Sequence, residues 1–205
     1  FTAWGPAPQT VFVNTNVKLL QARSEGEKTI KTTGGTNFGA AKLNLTVNSV
    51  GPDSVLFRVE HHFAAPDNAG ANPNGYILTN RYWSIWTDSN AFPAGFDAQA
   101  TLIYDGRGSG DQLDTELFAS TSSSEDSVLL LYRPGAGYAW QQWPTYTKIT
   151  LGSTTDKYGQ LRPTHLIPGE YTIGKGLSTN ATKNPNPLGK IEIAPNPTTG
   201  LVRIR

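Results

Sequence analysis

The 205-residue chain has no cysteine and no methionine, carries charge on only 16% of its residues, and holds no long apolar run. Without cysteine there are no disulfides, no thiolate nucleophile and no thiolate metal ligand. Stability outside a cell would then have to come from the core or from bound ions. No stretch approaches the roughly 18 apolar residues of a membrane helix, so the chain is not expected to span a membrane. Phe1 does not open a signal peptide. With no methionine at its head, the chain is expected to be a processed or excised piece of something longer. Seventeen basic residues nearly cancel sixteen acidic ones, for a net charge of +1, and no footprint for nucleic acid is visible in that balance.

What is abundant is turn chemistry and alternation. There are 21 Gly and 14 Pro, and Ser, Thr and Asn are frequent, which suits short strands joined by many turns. In "SVLFRVEHH", Val55, Phe57, Val59 and His61 share one face of a predicted strand, and Leu56, Arg58, Glu60 and His62 the other. "AKLNLTVNSV" places Leu43, Leu45 and Val47 together. "VFVNTNVKLL", "AQATLIYDG", "SVLLLYRP", "TYTKITLG" and "GEYTIGK" are further strands, rich in β-branched and aromatic residues. Gly34-Gly35, Gly51-Pro52-Asp53, Gly106 to Gly110, Pro134-Gly135 and Pro168-Gly169 mark turns between them. The expected fold is all-β, an antiparallel sandwich of immunoglobulin-like or jelly-roll type over residues 1–176. Residues 177–189, "LSTNATKNPNPLG", have almost no apolar anchor and read as a linker. Residues 190–205 then begin a second small β unit.

Three clusters carry candidate chemistry. Glu60 and His62 share a strand face and are weak metal candidates, with Asp67 and His165 as completions. The competing reading is structural, with His61 buried and hydrogen-bonded and Glu60/His62 solvated or paired. "DGRGSGDQLD" offers Asp105, Ser109, Asp111 and Asp114, the oxygen chemistry of calcium, but fails the EF-hand pattern and equally suits a hairpin tip. The aromatics of "NRYWSIW" and "GYAWQQWPTY" come third. Trp83, Trp86, Trp140 and Trp143 could stack on sugar rings if exposed, although a disulfide-free sandwich of this size needs most of them in its core. No nucleophile elbow and no His-Glu-x-x-His motif is present, and no catalytic residue is expected in this chain. Asn44-Leu45-Thr46 and Asn180-Ala181-Thr182 match the N-glycosylation acceptor, a pattern common by chance.

The closing "IEIAPNPTTGLVRIR" resembles the start of the C-terminal sorting domain of proteins exported by the Bacteroidetes type IX (Por) secretion system. Ile191, Ile193, Pro195, Asn196, Pro197, Gly200, Val202 and Ile204 match that pattern position by position, while Ala194 stands where an aromatic is common. Family members continue for several more strands beyond the point reached here. Residues 58–175, through "RVEHHFAAPD", "NRYWSIW", "FPAGFDAQATLIYDG", "EDSVLLLYRPGAGYAWQQWP" and "GEYTIGK", resemble the β-rich region preceding such a domain in secreted aminopeptidase-N-like (gluzincin) metallopeptidases. The resemblance implies an accessory module whose zinc-bearing catalytic domain lies upstream, and a cargo protein secreted or held at the outer-membrane cell surface. The partners it implies are the type IX translocon and its carrier outer-membrane barrel. Asp53-Ser54-Val55 and Asp126-Ser127-Val128 fit the tripeptide that the same lineage O-glycosylates, making Ser54 and Ser127 candidate acceptors; the alternative is that Asp-Ser merely starts a strand after a turn. The expected function is thus a non-catalytic cargo sandwich directed by Pro195, Asn196, Pro197 and Gly200. The alternative is a carbohydrate-binding module of a secreted enzyme, and a hydrolase built on Glu60 and His62 or on Asp111 and Asp114 comes last.

Overall fold

The computed structural model describes residues 23–67, 72–89, 91–108, 113–119 and 123–176, together with the backbone of three short strands before them. Those three, β1 (Thr2–Ala3), β2 (Thr10–Val13) and β3 (Lys18–Gln21), form a small antiparallel sheet with Val13 opposite Lys18. "VFVNTNVKLL" therefore contributes to two strands where its apolar content suggested one. The chain continues through β4 (Arg23–Ile30), β5 (Gly34–Phe38), β6 (Leu43–Val50), β7 (Val55–His62), β8 (Ile77–Leu78), β9 (Tyr82–Trp86) and β10 (Phe96–Asp105). One helical turn, α1 (Glu116–Ala119), precedes β11 (Val128–Arg133), β12 (Gln141–Gln142), β13 (Tyr146–Thr150), β14 (Tyr158–Pro163) and β15 (Gly169–Lys175).

The strands from β4 onward make an all-β sandwich of two antiparallel sheets. The smaller has the order β13-β14-β10-β6-β5 and the larger β12-β11-β15-β9-β7-β4, with β8 also paired to β15. The chain changes sheet repeatedly. After β6 it turns at Gly51 and enters the other sheet as β7. Gly51 has a φ of +76°, and a Cβ there would fall 2.6 Å from the Ala94 carbonyl oxygen, so the turn has no room for a side chain. Gly34-Gly35, expected to be a turn, instead opens β5 opposite Thr46 and Val47, because the edge of a sheet tolerates glycine where a partner strand supplies the hydrogen bonds.

Strict alternation builds the core. Leu43, Leu45 and Val47 of β6 and Ala98, Ala100, Leu102 and Tyr104 of β10 face Val55, Phe57 and Val59 of β7, Trp83 and Ile85 of β9, and Tyr171 and Ile173 of β15; all are buried. Large apolar side chains contribute about 1.5–3 kcal/mol each when fully buried, which lets the sandwich stand without disulfides. A second, smaller apolar cluster lies on the opposite side of the larger sheet. There Leu131 and Trp140 are buried against Tyr76, Leu78, Tyr82 and Leu129. Leu130 and Leu131 point to opposite faces of β11, so this strand feeds both clusters.

Candidate functional site

The outer face of the larger sheet carries a polar row that the strand register assembles from four elements. Glu60 of β7 and Glu170 of β15 both lie opposite Ser84 of β9, one on each side, and Arg133 of β11 lies opposite Glu170. The row exists because Tyr82, Ser84 and Trp86 alternate with Trp83 and Ile85, so that β9 sends two bulky apolar residues inward and keeps the other three outward. Neighbouring rows add aromatic surface. His62 stacks on Tyr82 at 4.3 Å with nearly parallel rings, and Trp86 stands opposite Arg58.

Above this row runs a cleft of about 1100 Å³, lined among others by Glu60, His62, Tyr82, Ser84, Trp86 and Glu170. Asp97 and His165, which bond each other at 2.9 Å, also line it. Asn48 and His165 together hold the Asp97 carboxyl below the usual carboxylate range. Glu60 accepts from Arg23 at 3.0 Å and lies 3.1 Å from His62 Nε2; Ser84 Oγ lies 3.3 Å from the same nitrogen. Burial holds His62 below the ordinary imidazole range, against the opposing pull of Glu60 and Glu170, so the ring is predominantly neutral at pH 7. Glu170 is gripped by Arg133, whose Nε and Nη2 both approach Oε2 at 2.6 Å, while Nη2 also reaches Asp67 at 2.5 Å. Arg133 itself is buried and lies over the Trp140 ring at 4.4 Å.

The metal candidates divide between these partners. Glu60 and His62 do meet, but Asp67 is turned to Arg133 and His165 to Asp97, so the expected completions go elsewhere. Among the described residues no group of three or more His, Asp or Glu converges on one point. His61 is buried as expected, but the expected hydrogen bond is missing: among the described residues neither ring nitrogen has a partner. Instead the ring stacks on Trp83 at 4.7 Å and tilts against Phe63 at 4.3 Å. Burial, reinforced by Arg81, pushes its pKa down to about 3, and it is neutral throughout the physiological range.

The Asp105 loop is likewise occupied by protein. Asp114 is fully buried and accepts two bonds from Arg81, at 2.8 and 2.6 Å, and a third from the Asp105 N–H at 2.7 Å. Asp105 is held by Arg107 at 2.7 and 2.9 Å. Two of the carboxylates read as calcium oxygens, Asp105 and Asp114, are thus engaged by guanidinium groups; Ser109 and Asp111 lie outside the described residues. A smaller void of about 450 Å³ beside this pair is lined by Asn37, Lys42, Asn44, Arg81, Asp114 and Tyr158 among others.

Of the four candidate tryptophans, Trp83 and Trp140 are wholly buried and Trp143 nearly so, as the core reading expects, so these three are not the stacking surfaces considered for them. Trp83 donates its indole N–H to the Ala41 carbonyl at 2.8 Å, and Trp143 packs edge-on against Tyr132 and Tyr171. Only Trp86 of the four lines the cleft, half-buried. Ser54 is exposed and Ser127 half-buried, and each immediately precedes a strand, β7 and β11. Asn44 is exposed on β6. The linker and Pro195, Asn196, Pro197 and Gly200 lie outside the described residues.

Sequence reasoning passes over Ser84, Glu170, Arg81 and Arg133. The parity rule that separates His61 from His62 also applies within "YWSIW", where it sets Trp83 against Trp86 and aligns Ser84 with the outer face. Which strands lie side by side, and so which outward residues meet, has no such local signal. Compared with protein-family models, curated proteins and solved structures, the chain finds no match.

Proposed function

We propose that this chain is a non-catalytic β-sandwich region of a type IX secretion cargo protein, directed across the outer membrane by the segment beginning at residue 190. The observation that carries this reading is the sequence "IEIAPNPTTGLVRIR" placed behind a polar linker. The fold supports it from the other side. Every strand of the two packed sheets comes from residues 23–175, and β15, the last of them, is a central strand flanked by β11 and β9. Among the described residues, the strands of residues 23–175 build a continuous core of their own. A separable signal is what an export machine needs, since the body must fold without it and the signal must be recognised apart from the body. Pro195 and Pro197 lack the N–H of a sheet ladder, so they would end main-chain pairing with a receptor strand at a defined place.

The engagement of Asp114 by Arg81, and of Glu60 by Arg23 and His62, favours an accessory role for the sandwich beside a catalytic domain. The test is secretion of the parent protein in a type IX-competent host with Pro195, Asn196, Pro197 and Gly200 all replaced by Ala. The expected result is retention of folded protein inside the cell. Undiminished appearance in the medium overturns the reading.

A further inference from the structure

The cleft over β7, β9 and β15 has a composition that selects its ligand. Its lining includes Glu60, Asp88, Asp97 and Glu170 and no Lys or Arg among the described residues, which by sign alone would point to a cation. The partners behind the two acids of the strand row weigh against that inference. Arg23 lies on Glu60, and the buried Arg133, shared with Asp67, lies on Glu170, so both carboxylates of the row have a guanidinium partner outside the lining. What the row then presents is a set of partnered hydrogen-bond acceptors, with Asp88 and Asp97 standing apart from it. Beside the row's carboxylates stand the Ser84 hydroxyl, a neutral His62 edge and the aromatic surfaces of Tyr82 and Trp86.

Oriented acceptors beside half-buried aromatic rings match one chemistry well. A sugar ring has hydroxyl donors around its equator and apolar C–H faces above and below, which suit carboxylates and aromatic planes respectively. We propose that this cleft binds a neutral oligosaccharide, with Trp86 as stacking platform and Glu60, Ser84 and Glu170 as the hydroxyl-reading row. At about 1100 Å³ the cleft exceeds the roughly 300–1,000 Å³ of ordinary small-molecule sites, which suits several linked rings over one. Three neighbouring strands fix the spacing of the row and the buried Arg133 holds Glu170, so little ordering entropy is lost on binding. This site differs from the tryptophan quartet singled out in the sequence: it keeps Trp86 and dispenses with the other three. It is independent of the sorting segment, and either reading can fail alone.

The experiment is titration calorimetry on the intact chain with neutral hexasaccharides of glucose, xylose and mannose, in β- and α-linked forms. Hexameric chitosan, oligolysine and oligogalacturonate serve as charged probes. At least one neutral hexasaccharide is expected to bind, and Trp86→Ala is expected to weaken it roughly tenfold, as loss of a stacking platform would. Tyr138→Ala, an exposed aromatic outside the cleft, should leave binding unchanged. If Trp86→Ala fails to fold by circular dichroism, Ser84→Leu, which fills the floor between the two glutamates, replaces it and should abolish binding. Silence across all neutral probes, binding confined to the charged probes, or affinity indifferent to these cleft substitutions overturns the proposal.

Discussion

Asp114 and Glu60 are both carboxylates with arginine partners, and both belong to stretches that the sequence marks as candidate chemistry. Their surroundings make them opposites. Asp114 is fully buried, its partner Arg81 is 5% exposed, and the pair is closed by the Asp105 N–H. Glu60 keeps 15% exposure, its partner Arg23 keeps 45%, and Glu60 lines an open cleft. The first arrangement is a structural lock: Arg81 also donates to the Ile103 carbonyl and lies over Trp83, so it ties β9, β10 and the loop before α1 together. The second keeps its carboxylate in the lining of the cleft, within reach of both Arg23 and His62. A paired acid is therefore neither evidently structural nor evidently functional until the partner's burial is known, because desolvation decides what breaking the pair costs.

Breaking the lock should have the largest effect. Arg81→Ala strands the Asp114 carboxylate in the interior, and chemical denaturation should show a loss of about 3–5 kcal/mol or failure to fold. The double variant Arg81→Met/Asp114→Leu should recover a substantial part of that loss, since removing both charges removes the desolvation penalty.

An intermediate effect is expected at His61, which sits on the inner face of the same strand as Glu60. Its pKa is depressed in the folded state, from 6.5 to about 3, so between those values the unfolded chain binds the extra proton and the folded chain resists it. His61 therefore makes stability fall as pH drops from about 6.5 toward about 3, with its full contribution present above that window. His61→Phe keeps the ring contact with Trp83 and removes two unpartnered nitrogens. Urea titrations across this range should show a flatter pH dependence for the variant, with stability at pH 7 unchanged or raised. An unaltered slope would assign the acid sensitivity to other groups.

The smallest effect should come from Glu60→Gln. Its ion pair with Arg23 is partly exposed, through the arginine, and surface pairs contribute about 0–1 kcal/mol, so the midpoint of unfolding should move little. If this substitution proved as damaging as Arg81→Ala, the contrast between a lock and an open cleft would collapse.

Several of these features are legible in the amino-acid order itself. Alternation in "SVLFRVEHH" and "AKLNLTVNSV" assigns the inward faces of β7 and β6 residue by residue, since the two-residue period of a strand leaves no freedom once one face is apolar. β4 gives no such signal. "RSEGEKTI" is charged and glycine-containing, as suits an edge strand, and its pairing with β7 comes from the neighbour and not from its own propensity. Gly34-Gly35 misleads for the same reason.

Periodicity and composition alone settle the class of fold, the inner faces of its main strands, and the absence of disulfide chemistry. These are local properties, and they need no partner to be legible. Only the packed sheets settle which outward residues share a row, that Arg133 stands behind Glu170 and Arg81 around Asp114, and that three of the four candidate tryptophans are core. Strand order and burial are sums over residues far apart in the chain, and the free energy of an acid or an indole depends on that sum more than on its own identity.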